Sequence, residues 1–184
     1  MKHSYMYRLA NLQDYALGNV YENVEMVVYS VLCFFTPLLM GHPQYAVGIV
    51  VNAALITAAL NLKGYNLLPV IILPSLGVLS RGILFGPFSK FLVYMIPFIW
   101  IGNSILVFSF KHFRLEKKHS YWITLGIGTL LKSGFLFISA FALHKLGILP
   151  VMFLTAMGLI QIVTAIGGGI AAYGVHYGKK AAFR

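Results

Sequence analysis

Six apolar stretches are packed into 184 residues, separated by connections of only a few residues each. They cover residues 24–40, 45–60, 65–80, 91–110, 121–143 and 151–173. A helix crossing a hydrocarbon core of about 30 Å needs roughly 20 predominantly apolar residues. The last three stretches reach that length. The first three run short and must tilt, borrow flanking residues or thin the bilayer locally. None shows the period-2 alternation of a membrane β-strand. The sequence therefore predicts an all-α integral membrane protein with six transmembrane helices in one bundle. With 59% hydrophobic and 10% charged residues, it has no stretch long and polar enough for a soluble domain. The expected organisation is an amphipathic, cytoplasmic amino-terminal segment over 1–23, a membrane domain over 24–176 and a basic cytoplasmic tail over 177–184.

A formal net charge of +10 invites a nucleic-acid reading, but the distribution of the charge argues for topology instead. Lys2, Arg8, Lys63, Lys111, Arg114, Lys117, Lys118, Lys179, Lys180 and Arg184 flank one side of the six spans. Arg81, Lys90 and Lys145 flank the other. The positive-inside rule places both termini in the cytoplasm, and the excess charge also suits anionic lipid head groups. No nucleic-acid partner is expected. The amino-terminal segment has no apolar run before a small-residue cleavage site, so the first span is expected to direct insertion itself.

Chemistry-bearing residues are few. Cys33, the single cysteine, forms no internal disulfide and reads as a small packing residue. None of the six histidines lies at mid-span in a facing pair, which argues against a bis-histidine haem. His42 and His144 share a side without further ligands, so no metal site is expected. There is no Gly-x-Ser-x-Gly, no His-Glu-x-x-His and no pair of carboxylates within the spans. The chain does not read as an enzyme, and it implies no cofactor.

Lys132 stands out. It lies near the middle of the fifth span, where a charge costs at least about 2.5 kcal/mol on insertion scales. Asp14, Glu22, Glu25 and Glu116, the whole acidic complement, sit at or beyond the inner boundary. Lys132 is therefore neutral, snorkels to an interface, or has a bound anion as counter-ion. Thr129, one turn away, is a candidate acceptor for it. Asn52 and Gln161 fall at similar depth in the second and sixth spans, with Thr164 one turn after Gln161. Intramembrane amides often only join helices, but shared depth on three helices suits one cavity. Asn103, nearer the cytoplasmic boundary, reads as a packing residue. Arg81 opens a Gly/Pro-rich apolar segment over 80–88 and is placed to capture a carboxylate or phosphate from outside, or a lipid phosphate. That segment, over 82–88, is expected to fold back over the bundle as part of a lid. Pro37, Pro69, Pro74 and Pro97 fall within spans and favour kinks. Gly167-Gly168-Gly169, Gly174-x-x-x-Gly178 and Ala54-x-x-x-Ala58 permit close helix approach.

The order Pro37-Leu38-Leu39, Gly48-Ile49-Val50-Val51-Asn52-Ala53-Ala54-Leu55, Leu73-Pro74-Ser75-Leu76-Gly77, Met95-Ile96-Pro97-Phe98 and Gly102-Asn103, set in six spans, resembles the substrate-binding S components of energy-coupling factor transporters. The likeness covers most of the chain through loose hydrophobic–Gly–Asn–Pro patterns. It implies a bacterial inner-membrane protein that captures a vitamin or other micronutrient at the outer side. It also implies a transmembrane scaffold protein and two cytoplasmic ATPases as partners. The Ala-x-x-x-Ala pattern that many S components carry in the first helix is absent here, where the chain reads Val27-Val28-Tyr29-Ser30-Val31-Leu32-Cys33. The expectation is a membrane substrate-binding protein for uptake of a small anionic solute, with Lys132, Gln161, Asn52 and Arg81 as binding residues. The alternative is a non-transporting subunit or assembly factor of a larger membrane complex.

Overall fold

The computed structural model describes residues 5–14, 18–40, 43–82 and 89–182. Among them there is no strand. The helices are α1 (Tyr5–Ala10), α2 (Asn19–Met40), α3 (Gln44–Asn61), α4 (Leu67–Arg81), α5 (Ser89–Ser109), α6 (Tyr121–Lys145), α7 (Met152–Met157) and α8 (Leu159–Ala182). A single 3₁₀ turn, Gly64–Asn66, leads into α4, and α5 continues into a π-helical turn, Phe110–Glu116. This architecture fits a multi-pass membrane protein.

Among the described residues, five segments are long and apolar enough to cross a membrane: Asn19–Met40, Gln44–Asn61, Lys90–Glu116, Tyr121–Lys145 and Met152–Lys179. The expectation of six helices of spanning length is thereby corrected to five. The third stretch forms α4, which has 15 residues and is about 22 Å long at about 1.5 Å per residue. Pro69 falls in its first turn, where the missing N–H would be unpaired anyway. Pro74 lies inside it. Short as it is, α4 runs beside α2 from one end of the bundle to the other. Asn66 Nδ2, just before it, donates to Glu22 Oε1 at 3.0 Å. Arg81, its last residue, donates to Leu38 O at 2.6 Å. Gly77 makes this parallel packing possible, because a Cβ there would collide with the Phe34 carbonyl of α2.

Two further boundaries differ from the sequence reading. The helix α2 begins five residues before the first apolar stretch, since hydropathy penalises Glu22 and Glu25 without seeing their partners. Glu22 is buried and accepts from Lys63 N at 3.0 Å, with Lys63 Nζ 3.3 Å away. Glu25 pairs with Lys179 at 2.5 Å, and Tyr29 and Asn61 donate to it at 2.7 and 3.0 Å. Lys179 thus belongs to α8, which continues past the expected start of a tail. The segment 1–23, expected to be amphipathic, supplies the start of α2 at Asn19. Among the described residues ahead of α2 only Tyr5–Ala10 is helical, and residues 11–14 fold under the bundle. Gln13 donates to Asn61 O at 2.7 Å, Asp14 N donates to Leu60 O at 2.9 Å, and the Asp14 carboxylate lies 3.2 Å from His176 Nε2. From the π-helical turn, the fully buried Lys111 reaches inward and donates to Leu62 O at 2.6 Å and to Leu12 O. Arg8 pairs with Glu116 at 2.8 Å. The hydrogen bond from Tyr5 to Glu116 holds the Tyr5 phenol above its ordinary range.

Both described termini therefore lie at the same end of the bundle, and all four acidic residues of the chain are paired there. Arg81, Lys90 and Lys145 mark the opposite end. Two apolar cores fill the bundle. One centres on Leu55, Leu60, Val107, Phe110 and Leu125, towards the terminal end. The other joins Leu92, Met95, Leu136, Phe153 and Met157 towards the Arg81 end. The segment expected to act as a lid lies, from residue 83 to 88, outside the described residues.

Candidate functional site

The most extensive helix contact among the described residues is between α3 and α8, and glycine allows their close approach. A Cβ on Gly48 would stand 2.6 Å from Thr164 Cγ2. A Cβ on Gly168 would stand 2.6 Å from Asn52 Cβ and 2.8 Å from both Ala53 N and Ile49 O. With the backbones this close, Asn52 reaches both its own helix and α8. Its Nδ2 donates to Gly48 O at 2.9 Å and to Thr164 Oγ1 at 3.2 Å. Its Oδ1 accepts from Lys132 Nζ at 2.6 Å. Lys132 is 2% exposed. The three residues form one polar chain across α6, α3 and α8.

This chain forms part of the wall of a cavity of about 110 Å³. Lys132, Asn52 and Gln161, expected from their shared depth to meet, all line it. The Gln161 amide is half-buried and makes no hydrogen bond with the described residues, so it offers both a donor and an acceptor. Pro37, Val78, Leu92, Leu136 and Ile160 supply an apolar wall. The cavity occupies the half of the bundle nearer Arg81, as Gln44 in the first turn of α3 and Leu92 in the first turn of α5 show.

Four features were not read from the sequence. Gln44 and Ser75 line the cavity. The last apolar stretch is not one helix: it breaks at Gly158, between α7 and α8. A Cβ at Gly158 would lie 2.9 Å from both Leu154 O and Phe137 Cδ2. The break puts the first turn of α8, with Ile160 and Gln161, in the cavity wall, and the N-terminal end of a helix carries partial positive charge. The signal was present as an isolated glycine within an apolar helical pattern. The fourth is the partner of Lys132. Thr129 Oγ1 is buried and has no hydrogen-bond partner among the described residues; Asn52 takes the role expected of it.

Asn103 takes the packing role expected of it and also faces the cavity. Its Nδ2 donates to Ile71 O at 3.0 Å, in the turn of α4 that Pro74 disturbs. Trp100 Nε1 donates to Ser75 Oγ at 2.7 Å, and Ser75 Oγ donates to Ile72 O at 2.9 Å. These bonds tie the proline-containing turn to α5 and satisfy carbonyls near the missing proline N–H. Arg81 is not among the residues that line the cavity. Its guanidinium is directed to Leu38 O in the last turn of α2, where carbonyls lack helical donors.

No group of three or more His, Cys, Asp or Glu among the described residues is arranged to hold a metal. Comparison with protein-family models, with curated proteins and with solved structures finds no match.

Proposed function

We propose that this protein binds a small anionic solute in the cavity between α3, α6 and α8, with Lys132 as the positive pole, and serves in its uptake across a membrane. One observation carries the reading. Lys132 is buried at mid-helix beside a cavity, while all four carboxylates of the chain lie at the terminal end with their own basic partners. An isolated buried ammonium is costly, and its single bond to Asn52 provides a dipole but no counter-charge. An anion entering the cavity supplies that charge in a low-dielectric site, where a charge-assisted hydrogen bond is strong.

On this reading the membrane is the bacterial cell membrane, α4 is a short sixth crossing, and both termini are cytoplasmic. An even number of crossings agrees with the two described termini sharing one end. The resemblance to S components supplies the proposed coupling to a scaffold protein and ATPases. Its motif residues Pro37, Gly48, Asn52, Pro74 and Asn103 all line the cavity, which supports reading those motifs as one binding site. Arg81 contributes charge near that end of the bundle rather than a direct contact.

The test is native mass spectrometry of gently purified protein, together with melting of the parent and Lys132→Met in candidate carboxylates and phosphates. Methionine keeps length and apolar volume and removes the charge. The parent should carry or accept an anion that raises its melting temperature by linkage. The variant should melt at least as high as the ligand-free parent and should not respond. A destabilised variant that still responds to ligand removes Lys132 from the site. The alternative of a non-transporting subunit draws on the exposed apolar face of α2, where Val24, Val27, Val31 and Phe35 are uncovered. It requires a co-purifying protein and no ligand response.

A further inference from the structure

The hydrogen-bond capacity of the cavity narrows the chemistry of the solute. We infer that the cavity takes a monoanion with a short apolar body, bound carboxylate-first at Lys132, and that Asn52 is a positioning residue that donates no hydrogen bond to it. The inference rests on the anion-binding reading above and goes further by naming the class of anion.

Asn52 has nothing left to donate. Its amide has two N–H groups, and they go to Gly48 O and Thr164 Oγ1. Its oxygen is directed at Lys132 Nζ. This holds the ammonium in place and leaves two of its three N–H groups without a partner among the described residues. Two free donors on one cation match the two oxygens of a carboxylate. The Gln161 amide and the first turn of α8 add further donor capacity on the same wall.

Charge sets the valence. Among the described residues, Lys132 is the only ionisable side chain that lines the cavity. One carboxylate neutralises it, whereas a phosphate dianion would leave a net negative charge among Leu92, Leu136, Val78 and Pro37. Among the described residues, no arginine fork lines the cavity to receive such a group. The apolar wall argues equally against a bare inorganic ion, which would lose its hydration and find few polar groups in exchange. An apolar body gains from the same wall. Size sets the length: about 110 Å³ is well below the roughly 300–1,000 Å³ of sites for drug-sized ligands.

The experiment melts purified parent, Lys132→Met and Asn52→Asp in matched concentrations of butanoate, butanamide, butylammonium and inorganic phosphate. Butanoate should stabilise the parent in a saturable way, and the other three should not. Lys132→Met should lose at least roughly tenfold in butanoate affinity, the lower end expected for a hydrogen bond to a charged group. Asn52→Asp places a carboxylate at the position of the accepting oxygen, so it supplies an internal counter-ion. The same change removes the donor to Gly48 O and Thr164 Oγ1, so its readout is the ligand response and not its own melting temperature: that variant should lose the butanoate response. Stabilisation by phosphate and not by butanoate overturns the carboxylate class while leaving anion binding intact. Equal stabilisation by butanamide overturns both, because charge then plays no part. If no probe acts on the parent, the short-chain class is overturned, and native mass spectrometry decides the anion-binding reading separately. An Asn52→Asp variant that still binds butanoate as the parent does also overturns the inference.

Discussion

Adding one methyl group at Gly168 should separate α3 from α8 and loosen the grip on Lys132. The new Cβ would lie 2.6 Å from Asn52 Cβ and 2.8 Å from two backbone atoms of α3. Ordinary contact begins near 3.4 Å, so the helices must part by about 0.8 Å, and backbone cannot rotate out of the way as a side-chain tip can. A shift of that size along the Asn52–Lys132 direction would stretch their 2.6 Å bond to about 3.4 Å, beyond useful hydrogen-bond geometry. Overpacking of this kind costs about 1–3 kcal/mol. Alanine also favours a helix over glycine by about 1 kcal/mol, which would mask part of the loss. The control is therefore Gly174→Ala on the same helix, where an added Cβ meets nothing within 4 Å. The control gains the helical preference without the clash, so the difference between the two variants isolates the clash. For a chain of this size that difference should be roughly 2–12 °C in melting temperature. Thermal unfolding of both variants in the same detergent measures it. If Gly168→Ala melts as high as Gly174→Ala, the α3–α8 contact is not tight and the argument that glycine builds the site fails.

Other perturbations address topology and the terminal end. Cysteine labelling of Lys117→Cys and Lys145→Cys in intact cells should report opposite sides of the membrane, and equal labelling from outside would overturn the even-crossing topology. Cys33 is buried and should give little background. Lys111→Met should release the segment before α2, because Leu12 O and Leu62 O both lose a buried donor. Each such bond is worth about 0.5–1.5 kcal/mol. Hydrogen exchange over residues 9–14 should accelerate, and unchanged protection there would show that the ammonium is not the anchor.

The sequence conveyed the helical class because lipid forces each backbone amide to bond within its own helix, and apolar length reports that directly. It conveyed Lys132, Asn52 and Gln161 as one group because depth can be counted along each helix. What it hid depends on partners distant in sequence. The start of α2 was obscured by Glu22 and Glu25, whose charges are matched by Lys63 and Lys179. The apolar stretch ends at residue 110, yet the helix continues beyond it as a π-helical turn from which Lys111 is buried. Arg81 looked free for a ligand because nothing in its own neighbourhood shows the Leu38 carbonyl, which comes from a helix 43 residues earlier in the chain. Thr129 looked like the partner of Lys132 for the converse reason: sequence spacing favours neighbours on the same helix, and the real acceptor came from α3.

The separation of charge within the bundle links fold to proposed function. Four carboxylates are gathered with Arg8, Lys63, Lys179, His112 and His176 at the terminal end, where carboxylate oxygens and side-chain nitrogens lie 2.5–3.3 Å apart. That end is also closed by Lys111 and by the segment folded beneath it. Towards the other end, Arg81, Lys90, Lys145 and the buried Lys132 have no carboxylate nearby, since the chain has none left to provide. The terminal side, with ten basic residues against these four carboxylates, stays the more positive overall, but the cations of the cavity half are the ones with no carboxylate to pair them. Exposed charges at that mouth are screened over about 8–10 Å at ordinary ionic strength, so they act on encounter. Lys132, shielded within the protein, keeps its effect on the bound solute. A solute that responds to both is drawn in faster at low salt but held almost equally well at high salt. That pairing of a salt-sensitive association rate with a salt-insensitive dissociation rate distinguishes the cavity from a basic surface that merely attracts anionic lipid.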